Sequence, residues 1–147
     1  MIQQDLKNLF HRDLNRLVEN IEATPEEQLW QATDGVTNSC GVLAQHLVGN
    51  LNHYIGAALG NTGYKRDRER EFKTANTPKV DLIEDIKELQ QSLNEIFDHL
   101  QDSEMEEDFP VDIPFEFTTQ GFLLHLYGHL NYHLGQINYL RRLLASK

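Results

Sequence analysis

Three histidines, His125, His129 and His133, recur at intervals of four in the segment HLYGHLNYHLGQI. On a helix a step of four turns a side chain by only about 40°, so the three imidazoles form one stripe. Phe122, Leu126, Leu140 and Leu144 share that arc, which places the stripe towards a core with apolar residues at both ends. An upstream segment repeats the pattern: His46, Asn50 and His53 fall on the face that carries Val42, Leu43, Tyr54 and Ala57. Neutral imidazoles at i and i+4 on one helix, joined by another from a facing helix, make a three-nitrogen site for one divalent ion with coordination positions left open. Zinc, nickel, iron or manganese suits such a donor set, and open positions admit water or substrate. The bland alternative is a layer of hydrogen-bonded core histidines. Burying five imidazoles and an amide without a common partner is costly, which favours the metal.

Carboxylates narrow the chemistry. The chain has 23 Asp and Glu, yet none lies between residues 39 and 59 or between 117 and 147. A ferritin-like di-iron centre needs inward Glu with Glu-x-x-His pairs, so that class is excluded. No acid is left beside the histidines to serve as a dedicated general base. Asn50 and Gln136 lie near the stripes and could orient rings or substrate, or simply bond within the bundle.

The elements that must position these residues are helices. Leu6, Leu9, Phe10, Leu14, Leu17, Val18 and Ile21 mark a first amphipathic helix over 2–21. TPEEQLW then predicts a short extra helix with Thr24 as N-cap, Pro25 at the first position and a capping box to Glu27, ending near Gly35. A second long helix is expected from about Ser39, capped by Asn38 or Ser39, to Leu59, stopped by Gly60 and Asn61. Residues 60–78 lack apolar periodicity and read as a long connection. Within it KRDRERE has the alternating charges of a solvated face, with recognition of an acidic cofactor as its other use. Thr77 and Pro78 open a third helix reaching Leu100, QDSEMEEDFPVDIPFEF forms another connection, and Thr118 caps a fourth helix running to about Ser146. The expected fold is all-α, a four-helix bundle of one domain over 1–147. The short link between the first two long helices suits antiparallel neighbours, and the long second link allows a parallel start, so up-down-down-up order is reachable.

Composition sets further bounds. A length of 147 residues with 39% hydrophobic residues suits one core. A net charge of −10 and no basic stripe argue against nucleic acid. No run has the length of a membrane span, and the N-terminus resembles neither a signal nor a transit peptide. The lone Cys40 fits a reducing compartment, hence a cytoplasmic protein. Its register makes it a small core residue, although a helix N-terminus could make it nucleophilic. Trp30 and Tyr64 are either a roof over the pocket or ordinary packing.

Two stretches carry a family resemblance. GHLNYHLGQINYLRRLL resembles the C-terminal signature of the DinB-like, YfiT-like metal-binding four-helix bundles, and LAQHLVGNLNHYI resembles their second helix. The resemblance implies an up-down-down-up bundle, commonly a homodimer, with a divalent metal on three histidines: His46, His129 and His133. His125 would then stand outside the ligand set, and His53 would be the competing position on the second helix. Relatives of this kind include thiol-dependent S-transferases, a maleylpyruvate isomerase that uses a low-molecular-weight thiol, and proteins described only as metal-dependent hydrolases. The implied function is activation of a thiol or water for attack on a small-molecule substrate. A helical dimer that binds metal or a ligand without catalysis is the alternative.

Overall fold

The computed structural model describes residues 2–147. The elements are α1 (Ile2–Glu22), α2 (Glu26–Leu29), α3 (Cys40–Leu51), α4 (Arg68–Lys73), α5 (Lys79–His99), α6 (Asp102–Glu106) and α7 (Thr119–Ala145). Helix α3 continues through Asn52–Ala57 as a π-helical segment, in which Ala58 N–H reaches the His53 carbonyl. Four long helices form the bundle, as the apolar periodicity of each requires, and their buried faces meet in one core that includes Phe10, Leu14, Leu47, Leu93, Phe97 and Leu130. Phe10 packs on both Phe97 and Tyr127, with ring centroids 5.6 and 5.3 Å away.

Side-chain pairs between helices establish their directions. Lys7 meets Asp98, and Gln90 reaches the His11 carbonyl and Asn15, so α1 and α5 run antiparallel. Asp13 bonds Asn131 while Asn20 bonds Arg141, so α1 and α7 run parallel. Cys40 lies at Ile137 and Tyr54 at Phe122, so α3 opposes α7. Gln45 meets Thr77 ahead of α5, and Gly60 abuts Ile96 near its end, so α3 and α5 run parallel. The order is up-down-down-up. Helices α1 and α3 both pack on α5 and α7 and lie diagonally opposite each other, so the short link between them does not make them neighbours. It crosses the end of the bundle instead, where Gly41 leaves room for the Trp30 ring; a Cβ there would stand 2.6 Å from it. Trp30 is thus packing at that end.

Local chemistry accounts for the boundaries. Ser39 caps α3 by accepting from Val42 N–H, and Thr118 caps α7 by accepting from Gly121 N–H. Asn61, at φ 52°, turns the chain after the π-helical segment. The capping box expected at Thr24 does not form. Its hydroxyl donates to the Asn20 carbonyl and so finishes α1, leaving Pro25 as the N-cap of a single turn that ends at Leu29. The connection over 60–78 contains α4, capped by Asp67 accepting from Arg70 N–H, and the connection over 101–117 contains α6 and is tied to the start of α7 by an isolated bridge between Asp108 and Thr118. Among the described residues no helix is long and apolar enough to cross a membrane.

Candidate metal centre

Antiparallel packing of α3 on α7 brings His46 against His129 and His133. The Nε2 atoms of His46 and His133 lie 3.3 and 3.1 Å from Nε2 of His129, and one nitrogen from each ring falls within 4.8 Å of the others. Two nitrogens bound at about 2.0–2.1 Å to one tetrahedral zinc stand about 3.3–3.4 Å apart, so the donor set already has the spacing such an ion requires. Three lone pairs this close repel one another unless a proton or cation lies among them.

The outward Nδ1 atoms have their own environments. Nδ1 of His133 donates to Gln136 Oε1 at 2.7 Å. Nδ1 of His46 lies 3.2 Å from Glu71 Oε1, and Arg66 Nη2 is 3.4 Å from the same nitrogen. A guanidinium can only donate and a carboxylate only accept. Arg66 already gives Nε and Nη2 to the two oxygens of Glu71 at 2.9 and 3.0 Å, so the shorter contact decides: His46 Nδ1–H donates to Glu71, leaving Nε2 as a lone pair. Nδ1 of His129 is buried without a hydrogen-bond partner, and so is Oδ1 of Asn50 one turn beyond His46.

Electrostatics keeps His129 and His46 neutral. Burial, then the proximity of His133 and His46, pushes His129 down to about 4. Burial also lowers His46, with Glu71 opposing and His133 and Arg66 reinforcing the shift. Lone pairs are therefore available at neutral pH.

The other histidines lie elsewhere. His53 is half-buried in the π-helical segment with its ring against Tyr54, and burial followed by the charge of Arg66 lowers its pKa. His125 is exposed, packed among Phe115, Phe117 and Phe122. Cys40 is buried, its thiol pushed up to about 11 chiefly by burial, which disfavours a nucleophilic role. A cleft of about 510 Å³ adjoins the group, lined by His133 and Gln136 together with Leu43, Tyr132, Tyr139 and Leu143.

Glu71 and Arg66 are absent from the sequence-derived site. They belong to the charged connection expected to be solvated, and most of it is: Glu69 and Lys73 pair with each other in the open. Glu71, however, is 7% exposed and Arg66 12%. The available signal was Gly49, an interior glycine on the inward helix, because a Cβ there would lie 1.8 Å from Glu71 Oε2.

Fold and site together define an up-down-down-up four-helix bundle with a group of three histidines able to hold a metal ion. The chain belongs to the family described as "Protein of unknown function (DUF1572)", whose model matches residues 3–147. A conserved protein from Enterococcus faecalis shares the fold at TM-score 0.80 and 16% identity, covering 100% of this chain and 99% of that one. YfiT from Bacillus subtilis, described as a probable metal-dependent hydrolase with an unusual four-helix bundle topology, matches at TM-score 0.76 and 18% identity over 97% of this chain and 87% of its own. No curated protein matches.

Proposed function

We propose that this protein is a mononuclear metalloenzyme in which His46, His129 and His133 hold one divalent transition metal, zinc, nickel, iron or manganese, for hydrolysis or thiol S-transfer on a small molecule. The observation that carries this reading is the convergence of three imidazole Nε2 atoms, those of His46 and His133 lying 3.3 and 3.1 Å from that of His129 and each backed by an acceptor at Nδ1. A divalent ion with only neutral protein ligands keeps its full charge and so lowers the pKa of a water or thiol bound to it. Gln136 fixes the His133 ring, and the buried Oδ1 of Asn50, one turn beyond His46 on the same helix, is an acceptor without a partner. The cleft beside His133 would take the substrate, its aromatic and aliphatic walls suiting an uncharged body. His125 and His53 stand outside the ligand set, and neither lines that cleft. The description of YfiT supports the hydrolase arm, and a low-molecular-weight thiol serves the other.

The setting that goes with this reading is a cytoplasmic homodimer. Leu124, Tyr132, Tyr139 and Leu143 form an exposed apolar stripe on α7, which a second copy would cover, enclosing the cleft at the interface between the two copies. One observation favours the non-catalytic alternative: Glu71 lies on the Nδ1 side of His46, and among the described residues no carboxylate joins the Nε2 side.

Elemental analysis of protein purified without chelator or histidine tag tests the assignment, run beside His46→Ala and His133→Ala. About one transition metal per chain, absent from both variants, supports it. Screens with ester and amide substrates, and with electrophiles plus a small thiol, then separate the two activities. Metal uptake without turnover in either screen would favour the binding module.

A further inference from the structure

The charged connection between α3 and α5 has a role that the three histidines alone do not explain. Its inner residues reach the centre from outside the four long helices. Gln45 Nε2 donates to the carbonyls of Glu71 and Thr74, at 3.2 and 2.9 Å, and its Oε1 accepts from Thr77, which docks α4 along α3. Phe72 lies over the His46 ring, with centroids 4.8 Å apart. The buried carboxylate of Glu71 occupies the space left by the missing side chain of Gly49, is gripped at both oxygens by Arg66, and accepts from His46 Nδ1. A glycine interior to a helix is less favourable than alanine, so the notch opposes helix propensity and admits the carboxylate.

We propose that Glu71, held by Arg66, is the positioning residue of the centre: it fixes His46 with Nε2 free for the ion and couples metal loading to docking of α4. This rests on the metal reading above. Glu71 has no contact with the Nε2 side, so it acts through His46. A ligand-backing carboxylate orients the ring and raises its basicity, and its loss typically weakens metal binding by about 10–100-fold. The coupling is reciprocal: if docking of α4 strengthens the site, loading must strengthen docking.

The test uses the full chain, with zinc affinity measured by competition with a chromogenic chelator. Cobalt(II) absorption reports the ligand field, and amide hydrogen exchange over residues 66–74 is followed with and without zinc. Glu71→Ala is expected to weaken zinc about 10–100-fold and to alter the cobalt spectrum. Glu71→Gln, which keeps an acceptor, is expected to recover most of that loss. In the parent, zinc should slow exchange over 66–74, and in Glu71→Ala it should not. If Glu71→Ala fails to fold, Gly49→Ala carries the test, because its methyl displaces the carboxylate while leaving every ligand in place. Glu69→Gln, on the exposed side of α4, is the control. Folded Glu71 variants that bind zinc within about twofold of the parent, with the parent's cobalt spectrum, would overturn the proposal while leaving the metal site standing. A parent that takes up no metal would overturn both.

Discussion

Two polar clusters flank α7, one against α1 and one against α3. On the α1 side the fully buried carboxylate of Asp13 accepts from Arg12, Arg16, Tyr127 and Asn131, and Arg12 also bonds the Tyr127 hydroxyl. On the α3 side three imidazole nitrogens face one another, and two further buried polar atoms, His129 Nδ1 and Asn50 Oδ1, lack partners. The first cluster is closed, since each of its buried groups is answered within the protein. The second is left open, and an open buried cluster costs stability unless something else completes it. The same helix thus carries a joint and a receptacle, and satisfaction of hydrogen bonds distinguishes them better than polarity does.

The comparison breaks most visibly at His129, which contributes the central nitrogen. His129→Ala is expected to reduce metal from about one ion per chain to near none, by elemental analysis after reconstitution, while the melting temperature of the metal-free protein stays within a few degrees. Asp13→Ala should do the reverse. It leaves Tyr127 and Asn131 without their acceptor, but Arg12 and Arg16 are half-exposed and regain water, so the expected loss is about 2–3 kcal/mol, read by denaturant titration. Its zinc stoichiometry should equal the parent's, and a variant that loses both would mean that the clusters are one unit.

Acid separates the clusters by pH. His129 has a folded pKa of about 4, depressed by burial and by His133 and His46, against about 6.5 unfolded. Between these values the unfolded chain binds more protons. Stability of the metal-free protein should therefore be fully present above about pH 6.5 and fall towards pH 4, by up to about 1.4 kcal/mol per pH unit for one such group. Burial alone would raise Asp13, but bonds from Arg12, Tyr127 and Asn131 hold it below the ordinary carboxylate value, so its contribution is lost only at lower pH still. His129→Ala should shrink the upper phase, leaving the share of His46 and His53, and keep the lower one, as followed by urea midpoints across pH. The smallest expected effect is at Gln136, whose bond to His133 lies at the exposed edge. Gln136→Ala should weaken zinc by only about three- to tenfold, below the range for a buried backing group.

Much of this fold is written in periodicity. Leucine and isoleucine at three and four mark the four long helices, Thr118 is the cap its position predicts, and of Asn38 and Ser39 it is Ser39 that caps α3. The histidine stripe is legible for the same reason, because spacing on a helix fixes a face. Contacts between elements distant in sequence are not. The diagonal placement of α1 and α3 depends on how four faces are shared, and the entry of Glu71 and Arg66 depends on the fold of a connection with no period. The echo between HLVGNLNHYIG and HLYGHLNYHLG shows the limit. Matched residue for residue, His46 corresponds to His125, yet one joins the histidine group and the other packs among phenylalanines; Gly49 admits a carboxylate, whereas a Cβ at Gly128 would meet nothing.

The most direct test is an anomalous-scattering map at the zinc edge from crystals of the zinc-reconstituted protein. The account predicts one peak about 2.0–2.1 Å from Nε2 of His46, His129 and His133, with at least one coordination position open to solvent. No peak among these nitrogens, or one bound to other residues, would contradict it.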